Sequence, residues 1–397
     1  MAGRSLLLAL LLVHLLPGQD FTLIGTDGVK VEGKLGAWKD GEVQIGGATV
    51  AADKVLFFHG PAPRVNRVAG MIVHLVDGDV VAGTVAGGDE DGEAVMVTSK
   101  AVGNLRLLLD SVALVRVKQK DGFQAPERFA LASGEAGREA LYRWTPIGLD
   151  VITGILDRIS QQGVHFEWRK ENKAELFEWH RIAGLRLPVD PADKKTLSTG
   201  LVVLTAGGCR ISGRPLGILD GRLRLEPRSL GKVGVLLDQI VAGHVLAANR
   251  VWLSSLKPTK VVERRFLPEP TFFPFRRDEC CLGEFPRVRD RSWTVGLGCH
   301  SLSRLSFAVP EGARRFMTWI GADASAVETG RAGSMDFAVV LDGKVVASKK
   351  KVKGGSEAMP LPAVNVKPGQ MLQVELGYGE WFDMLDRGNW LAPVFLK

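Results

Sequence analysis

Hydrophobic and polar residues alternate along most of the chain in short runs that end at glycine or at Asp-Gly pairs. Val80, Ala82 and Thr84 alternate in one such run, and Leu223 and Leu225 alternate in another. A period of two between glycine turns predicts short antiparallel strands joined by hairpins. The pattern therefore predicts an all-β protein made of repeated small β-meander or barrel-like units, followed by a C-terminal jelly-roll β-sandwich.

The unit recurs about four times before residue 250, with roughly 40 residues in each copy. Residues 73–117 align with residues 202–246, and weaker copies begin at Phe21 and near Gly148. The two clearest copies share three positions: Gly83 with Gly213, Gly103 with Gly231, and Leu109–Asp110 with Leu237–Asp238. Because the period is not constant, the pattern does not indicate a tight solenoid. It favours small meanders, similar in shape to Sm-like barrels, that pair into one or two compact barrels.

The pattern changes at Val251, where aromatic residues, prolines and at least five further alternating runs begin. The predicted strands are Leu305–Val309, Phe316–Ile320, Met335–Leu341, Lys344–Ser348 and Leu372–Leu376. Asp342–Gly343 lies between two of them and is a strong hairpin signal. Several short strands without a helix predict a β-sandwich of jelly-roll type.

Two stretches between the predicted strands are less regular. Glu135 to Tyr142 are compatible with a short helix, and residues 187–198 contain prolines and a lysine pair that are typical of a connector. The predicted division of the chain is residues 1–18 as a signal peptide, 19–118 as the first two units, 119–249 as a linker with the last two units, and 250–397 as the sandwich.

The N-terminal residues 1–18 have the composition of an export signal. Arg4 provides a positive charge, Leu6 to Leu16 form an apolar run, and Pro17–Gly18 end it. The run is too short for a helix that spans a bilayer, which needs about 20 residues, and it fits the apolar region of a secretory signal. A secreted, periplasmic or cell-surface location is predicted, with no transmembrane span beyond the signal peptide; retention as an anchor is the alternative.

Composition and charge narrow the classes of function that the protein can have. The chain has 397 residues, of which 46% are hydrophobic and 24% are charged, so it can bury a core. The formal net charge is +7, but the basic residues do not form a stripe with interleaved aromatics, so no nucleic-acid partner is predicted.

Four cysteines exclude a disulfide-dense miniature scaffold. A disulfide from Cys280 or Cys281 to Cys299 and four free thiols, with Cys209, both remain open. No CxxC spacing indicates a zinc site.

No motif for catalysis is present: GxSxG, HExxH, a P-loop and a GxGxxG in a strand–turn–helix setting are all missing. One acidic stretch surrounds Trp168 and Trp179, and it consists of Glu167, Glu171, Glu175 and Glu178. Paired carboxylates could serve a glycoside hydrolase. The simpler interpretation is a strand pair with one face in water, and we predict no enzyme activity.

Four ordered motifs near the C-terminus carry a resemblance to a known family: Gly296 to Ser301 (GLGCHS), Arg315–Phe316 through Gly321–Ala322–Asp323, Phe337 to Val345, and Asp386 to Trp390. Over about residues 250–397 the chain resembles the NPCBM family of carbohydrate-binding modules. The resemblance implies a galactose-binding-like sandwich and a glycan ligand. This copy departs from the family pattern at Val295, Ala324, Arg387 and Asn389, which implies weak binding or a different ligand if those positions contact sugar or metal in the family.

Sugar binding requires aromatic faces that stack on pyranose rings and planar polar groups that bond to hydroxyls. The predicted carbohydrate-binding residues are His300, Arg304, Asp323, Trp381, Asp386, Asn389 and Trp390. Trp381 is expected to be the most exposed because residues 377–386 are predicted to form a loop. The alternative is that Trp390 packs in the core and that His300 and Asp323 tie strand ends together.

A calcium ion would need clustered oxygen ligands. Asp383 and Asp386 are the predicted metal ligands, although their spacing is not diagnostic and no cofactor is certain.

These observations predict a secreted, non-catalytic carbohydrate-binding protein that binds glycan through its C-terminal sandwich. The alternative is a secreted structural or protein-interaction scaffold with a degenerate sugar site. A glycoside hydrolase that uses Glu167 or Glu178 is a third and weaker interpretation.

Overall fold

The computed structural model describes residues 20–66, 70–89, 91–118, 138–168, 173–189, 197–266, 273–328, 330–380 and 382–397. Within these ranges the only helical segments are 3₁₀ turns of three residues, and no helix is long and apolar enough to cross a membrane. The predicted all-β fold is confirmed. The predicted signal peptide lies outside the described ranges.

Four units of the same design occupy residues 20–246, each with four strands, a 3₁₀ turn and a fifth strand. The first unit contains β1 (Asp20–Gly25), β2 (Lys30–Lys39), β3 (Glu42–Ile45), β4 (Ala48–Ala51), a turn (Ala52–Lys54) and β5 (Val55–His59). The second contains β6 (Gly70–Leu75), β7 (Val80–Gly88), β8 (Ala94–Ser99), β9 (Gly103–Leu108), a turn (Leu109–Ser111) and β10 (Val112–Lys118). The repeat predicted from the sequence is confirmed.

The other two units follow the same order. The third contains β11 (Glu139–Thr145), β12 (Gly148–Ile159), β13 (Gly163–Glu167), β14 (Glu175–Glu178), a turn (Trp179–Arg181) and β15 (Ile182–Arg186). The fourth contains β16 (Gly200–Thr205), β17 (Arg210–Leu219), β18 (Arg222–Glu226), β19 (Val233–Leu236), a turn (Leu237–Gln239) and β20 (Ile240–Leu246). The Leu-Asp pairs of the sequence repeat begin the 3₁₀ turns of the second and fourth units.

Strand pairing is the same in all four units. The first strand pairs with the second and the fifth, the second also pairs with the third, and the third with the fourth, always antiparallel. The long second strand therefore belongs to two sheets and must bend. A glycine lies where it changes partner: Gly33, Gly83, Gly154 and Gly213.

The units associate in two pairs through their fifth strands. In the first pair β5 bonds to β20, which joins the first and fourth units, and in the second pair β10 bonds to β15. One hydrophobic core extends through all four units. The pairing of β5 with β20 crosses the limit between residues 19–118 and 119–249 that the sequence suggested, and those domain limits remain a proposal.

The helix expected over Glu135 to Tyr142 is wrong for Glu139 to Tyr142, which lie in β11. This strand pairs with β12 on one side and β15 on the other. Leu141 packs into the common core, while Tyr142 packs on the opposite face. Two-sided pairing and burial outweigh a weak local preference for helix.

The remaining strands form the sandwich and its connections. They begin with β21 (Arg250–Trp252), a turn (Leu253–Ser255), β22 (Lys260–Glu263), β23 (Arg276–Arg277), β24 (Arg287–Val288), β25 (Arg291–Ser292), β26 (Gly296–His300), β27 (Ser303–Ala308) and β28 (Arg315–Ala322). They continue with a turn (Ala324–Ala326), β29 (Val327–Glu328), β30 (Arg331–Ala332), β31 (Ser334–Leu341), β32 (Lys344–Lys353), β33 (Met359–Pro360), β34 (Val364–Asn365), β35 (Met371–Tyr378) and β36 (Arg387–Leu396).

Two antiparallel sheets face each other in this region. One has the order β23-β26-β36-β28-β33, with β21 beside β36 and β34 beside β28, and the other has the order β22-β27-β35-β31-β32. Phe316, Phe337, Trp390 and Phe395 are among the large side chains buried between them. All five predicted strands occur, and the Asp342–Gly343 turn has both φ angles positive (48° and 82°), as a type I′ hairpin requires.

The outer face of the first sheet packs against the repeat units instead of facing water. Phe57 of β5 contacts Trp293 and Trp319, with ring centroids 4.9 and 4.8 Å apart. Leu56 and Met317 belong to the same buried cluster. The sandwich and the first unit therefore share a hydrophobic junction.

Of the alternatives left open for the cysteines, the structure has four free thiols. Cys209, Cys280, Cys281 and Cys299 are all buried. Burial raises the pKa of Cys299 to about 12, so this thiol stays protonated.

Candidate functional site

The candidate site lies at one end of the sandwich, where the chain leaves β35 at Tyr378 and returns to β36 at Arg387. The described part of the loop between these strands (residues 379, 380 and 382–386) lies beside the end of β26 and beside the two described pieces of chain around residues 264–266 and 273–275. The end of a strand pair is a common place for a binding site because loops can vary there on a rigid frame.

Three aromatic side chains form a partly exposed surface at this end, which we call the aromatic platform: Phe266, Tyr378 and Phe382. The rings of Phe266 and Phe382 lie 4.3 Å apart at an interplanar angle of 34°, and Tyr378 meets Phe266 edge-on at 6.0 Å. Phe382 is 61% exposed and Phe266 is 48% exposed. Exposed aromatic pairs of this kind are uncommon on a soluble surface and indicate a contact site.

Specific contacts hold the platform in place. The backbone N–H of Phe266 donates to Asp383 Oδ2 over 3.0 Å, and the Tyr378 hydroxyl donates to the carbonyl oxygen of Arg264 over 3.4 Å. At the start of the loop, Glu380 pairs with Lys351 Nζ at 3.0 Å and with Lys353 Nζ at 3.4 Å. The loop that carries Phe382 is thus fixed to two neighbouring segments.

A second, more buried stack lies next to the platform. Phe273 stacks on the imidazole of His300 at 5.4 Å and 24°. The guanidinium carbons of Arg265 and Arg387 lie 5.3 and 5.6 Å from the centre of the Phe273 ring, within the range of a cation–π contact.

The protonation of His300 follows from its neighbours. Burial lowers its pKa, so the imidazole is neutral at pH 7. Its Nδ1 lies 2.8 Å from the Ser301 carbonyl oxygen, which can only accept, so Nδ1 carries the proton. The Nε2 atom is then an acceptor that can receive a hydrogen bond from a hydroxyl group.

Asp323 and Asn389 are buried and bond to each other. Asn389 Nδ2 donates to Asp323 Oδ2 over 2.7 Å, and the backbone N–H of Arg287 donates to the same oxygen over 3.2 Å. Asp323 Oδ1 accepts from both the N–H and the hydroxyl of Ser325. These contacts agree with the alternative from the sequence, in which Asp323 ties strand ends together.

Asp386 is also buried and is held by two serines. Its Oδ2 accepts from the Ser301 hydroxyl over 2.9 Å, and its Oδ1 accepts from the Ser334 N–H over 3.0 Å. Burial raises the pKa of Asp386 to about 7. These protein donors engage each carboxylate oxygen once, which fixes the orientation of the Asp386 carboxyl group.

The calcium site remains a prediction from the sequence. Asp383, its other predicted ligand, uses one oxygen for the Phe266 N–H. In the parts of the chain that the structure describes, no three His, Cys, Asp or Glu side chains form a group that could hold a metal ion.

Two other predicted residues lie away from the platform surface. Trp390 is fully buried between the sheets, where it meets Phe337 edge-on at 5.1 Å, as the alternative interpretation expected. Arg304 lies on β27 and is exposed, with its Nε 3.5 Å from Glu375 Oε1. Trp381 lies outside the described residues.

The sequence indicated Phe382 as one of several aromatic and polar residues before the last strand, but the predicted carbohydrate-binding residues included neither Phe382 nor Phe266. Phe382 is adjacent to Trp381 in the loop that was predicted to be exposed, and Phe266 belongs to the aromatic and proline-rich stretch after Val251. The available signal was therefore the pair of aromatic-rich segments, but their contact at one end of the sandwich depends on the fold.

The described glutamates of the acidic stretch in the third unit lie in different surroundings. Trp168 Nε1 donates to Glu175 Oε2 over 2.8 Å, and Glu178 lies 3.5 Å from His180. Glu167 is half-buried at the end of β13, and Glu171 lies outside the described residues. The exposed positions of Glu175 and Glu178 on β14 are those of a strand with one face in water.

Comparison with known proteins gives a family for the sandwich. The family model of the NPCBM/NEW2 domain matches residues 249–396. No curated protein shows a significant match to the chain.

Several solved structures are similar to parts of the chain. The CBM51 of Clostridium perfringens GH95, in complex with methyl-galactose, is 20% identical and aligns over 37% of this chain and 99% of its own, with a TM-score of 0.32. CBM51-2 in complex with GlcNAc and the INT domains of Clostridium perfringens ZmpB is 16% identical over 45% of this chain and 39% of its own (TM-score 0.34).

The tandem CBM51 modules of Sp3GH98, the family 98 glycoside hydrolase from Streptococcus pneumoniae SP3-BS71, are 13% identical. They align over 82% of this chain and 99% of their own, with a TM-score of 0.32. The match of the family model to the two-sheet region carries the assignment: residues 249–396 of this protein are an NPCBM/NEW2 domain.

Proposed function

We propose that the protein is a secreted, non-catalytic carbohydrate-binding protein and that its NPCBM/NEW2 domain binds a glycan on the aromatic platform. The observation that carries this proposal is the exposed pair of Phe266 and Phe382, whose rings lie 4.3 Å apart at the loop end of the sandwich. Aromatic faces of this kind stack on the apolar faces of pyranose rings.

Polar groups beside the platform supply the hydrogen bonds that a sugar needs. Asp383 uses Oδ2 for the Phe266 N–H, which leaves Oδ1 as an acceptor for a sugar hydroxyl. His300 Nε2 is a second acceptor, since the proton is on Nδ1. Acceptors of fixed position beside a stacking surface give a site its preference for one arrangement of hydroxyls.

The sequence supports secretion and binding without catalysis. The apolar run from Leu6 to Leu16 has the length and flanking residues of an export signal. The resemblance of the sandwich to carbohydrate-binding modules agrees with binding, and the acidic residues Glu175 and Glu178 each have a local partner.

A scaffold with a degenerate sugar site is the second candidate, and one observation favours it. Asp323 and Asp386, which match the family motifs, use both carboxylate oxygens for hydrogen bonds inside the protein, and Asn389 Nδ2 donates to Asp323. If sugar recognition depended on these side chains, this copy would not bind glycan.

The test is a glycan-array screen of the purified full chain, with and without calcium, followed by calorimetry on the best ligand. Phe382→Ala should weaken binding by about 1–3 kcal/mol, by analogy with other aromatic stacking, and it should leave the melting temperature nearly unchanged because the ring is 61% exposed. Calcium dependence in the same screen tests the predicted ion.

Leu219→Ala is the matched control, since Leu219 is 52% exposed on the fourth repeat unit, away from the platform. It should bind the glycan like the wild type. Folded wild-type protein that binds no glycan would favour the scaffold. Glycan binding that survives both Phe382→Ala and Phe266→Ala would move the site away from the platform.

A further inference from the structure

A cleft lies at the junction of the sandwich with the repeat units, separate from the aromatic platform. It has a volume of about 490 Å³, and its charged lining residues are Arg64, Arg287, Arg289 and Asp290. Arg64 comes from the segment after β5, whereas the other three come from the hairpin of β24 and β25. The remaining wall contains the small or apolar residues Ala324, Val327 and Gly355.

Positive charge in this cleft exceeds negative charge. Arg289 is engaged by Glu357, with Nη1 2.5 Å from Oε1. Across the described ranges, no carboxylate forms an ion pair with Arg64 or Arg287, and Asp290 is the single acidic residue among the lining side chains. Arg64 and Arg287 therefore line one cleft without an ion pair to any described carboxylate, and Asp290 is the one acidic side chain beside them.

The backbone on both sides of Arg64 is fixed to the sandwich. The N–H of Val65 donates to the Ser292 hydroxyl over 3.2 Å, and the N–H of Ser292 donates to the Pro63 carbonyl over 3.4 Å. Arg64 is thus anchored through its two neighbours in the chain, so its side chain starts from a defined position beside the hairpin.

The backbone of Arg287 is fixed as well. Its N–H donates to the buried Asp323 Oδ2, and Arg287 pairs with Ser292 across the hairpin. Val288, the next residue, is buried against Gly321 of β28. The buried Asp323, predicted from the sequence to contact sugar, thus supports the wall that carries Arg287.

We propose that this cleft binds an oxyanion group, namely a sulfate, phosphate or carboxylate, between Arg64 and Arg287. A guanidinium group is planar and always charged, and it offers paired N–H donors that match two oxygens of such a group. Bringing one guanidinium from the repeat units and one from the sandwich to a single cleft lets both bind the same anion. The site is independent of the platform, and its ligand carries the negative charge that the cleft lacks.

The test measures binding of inorganic sulfate and of inorganic phosphate to the full chain by isothermal titration calorimetry at low ionic strength. The double variant Arg64→Ala/Arg287→Ala should bind these ions at least about tenfold more weakly, because each lost charged hydrogen bond is worth roughly a factor of ten or more. Arg224→Ala removes an exposed arginine on β18 and should bind like the wild type.

The following results would count against oxyanion binding by Arg64 and Arg287. Wild-type affinity in the double variant, or an equal loss in Arg224→Ala, would overturn the proposal. If the double variant unfolds at a lower temperature, the single variants Arg64→Gln and Arg287→Gln replace it, and unchanged binding in both would overturn the proposal as well.

A sulfated and a uronic-acid oligosaccharide of equal length identify the source of the oxyanion. Tighter binding of either than of the free ion, lost in the double variant, supports an acidic polysaccharide. Equal affinity for the free ion supports a small anion as the ligand of the same site. Binding of a neutral glycan on the platform should be unchanged in the double variant, so failure of one site is distinguishable from failure of the other.

Discussion

Phe382 and Trp390 lie close together in the chain, but one is exposed and the other is buried. Phe382 is 61% exposed in the loop before β36, whereas Trp390 lies in β36 with no exposed surface. The indole Nε1 of Trp390 has no hydrogen-bond partner in the described part of the chain. Trp390 therefore contributes through packing alone, and its N–H group is an unfavourable part of that packing.

Trp390→Ala should lower the free energy of unfolding by about 3–5 kcal/mol, as truncation of large buried aromatics does. Trp390→Phe should cost only about 1–2 kcal/mol, because it removes an unpaired donor together with part of the packing. Urea unfolding of the two variants measures both values. The platform lies outside this core, so Trp390→Phe should retain wild-type affinity for any glycan that Phe382 binds; a large loss of affinity at unchanged stability would contradict the assignment to the core.

The burial of Trp390 was left open by the sequence, and the reason lies in β36. A strand with one face in water alternates in burial, but residues 388–395 of β36 are buried on both faces. One face is covered by the second sheet, and the other is covered by Leu56 and Phe57 of the first repeat unit. A contact made by residues so distant in the chain leaves no local pattern, so an aromatic in this motif could be a core residue or a surface residue.

The second strand of each repeat unit has a glycine where it changes its partner strand, and the third unit shows why. Gly154 pairs with Glu139 of β11, and the following residue, Ile155, pairs with Glu167 of β13. At this change of partner the backbones come close, and a Cβ atom at Gly154 would lie 2.1 Å from the Glu167 carbonyl oxygen. A side chain at this position would push the two sheets of the unit apart.

We expect Gly154→Ala to lower the free energy of unfolding by more than about 2 kcal/mol, because overpacking against backbone cannot be relieved by a side-chain rotation. The matched control is Gly36→Ala in β2 of the first unit, where the nearest atom would be the Cβ of Gln44 at an ordinary 3.7 Å. That change should be neutral or slightly stabilising, since alanine restricts the unfolded chain. Chemical denaturation of the two variants side by side makes the comparison, and equal effects would mean that the bend does not need glycine.

Among the strands and turns, the sequence predicted those features that depend on residues close together in the chain. The strands around Asp342–Gly343 were predicted correctly because the turn and the alternation are local features. The pairing of β5 with β20 was not predictable in detail, since Phe58 and Gly243 meet across most of the repeat region. The close approach explains why position 243 is glycine: a Cβ there would lie 2.1 Å from the Phe58 ring.

The whole molecule is joined at a junction that contains two buried histidines. His59 of β5 meets Trp293 edge-on at 4.8 Å, and His244 of β20 lies 5.1 Å from Trp252 with its Nδ1 2.8 Å from the Thr294 hydroxyl. Arg250 crosses the same junction and donates to the carbonyl oxygens of Asp53 and Val55. These contacts join the repeat units to the sandwich through buried side chains.

Both histidines are neutral in the folded protein. Burial, together with the nearby Arg291 and Lys30, lowers the pKa of His59 to about 3. Burial, with Arg210 and Arg250, likewise holds the pKa of His244 well below its usual value. Below about pH 6.5 the histidines of the unfolded chain take up protons, whereas His59 and His244 stay neutral in the folded chain. Each of them therefore makes folding less favourable as the pH falls below about 6.5.

Buried carboxyls act in the opposite direction. Burial and the neighbouring Asp77, partly opposed by the hydrogen bonds from Ser212, raise the pKa of Asp79 to about 7. The folded chain therefore binds a proton that the unfolded chain releases between about pH 7 and the usual aspartate value. The pH dependence of the wild type is a sum of opposing contributions, and the histidine contribution has to be isolated with a variant.

The variant His59→Phe isolates the contribution of His59 to the pH dependence of stability. The ring of His59 packs edge-on against aromatic neighbours and its Nδ1 has no hydrogen-bond partner among the described residues, so phenylalanine can take its place in the junction. Between pH 7.5 and pH 5 the wild type should lose about 2 kcal/mol more stability than His59→Phe, since one proton uptake by the unfolded chain is removed. Urea unfolding at the two pH values measures the difference, and His180→Phe, at an exposed imidazole, should retain the wild-type loss. An equal loss in His59→Phe and the wild type would mean that the junction opens to water before the rest of the chain unfolds, because His59 could then be protonated without global unfolding.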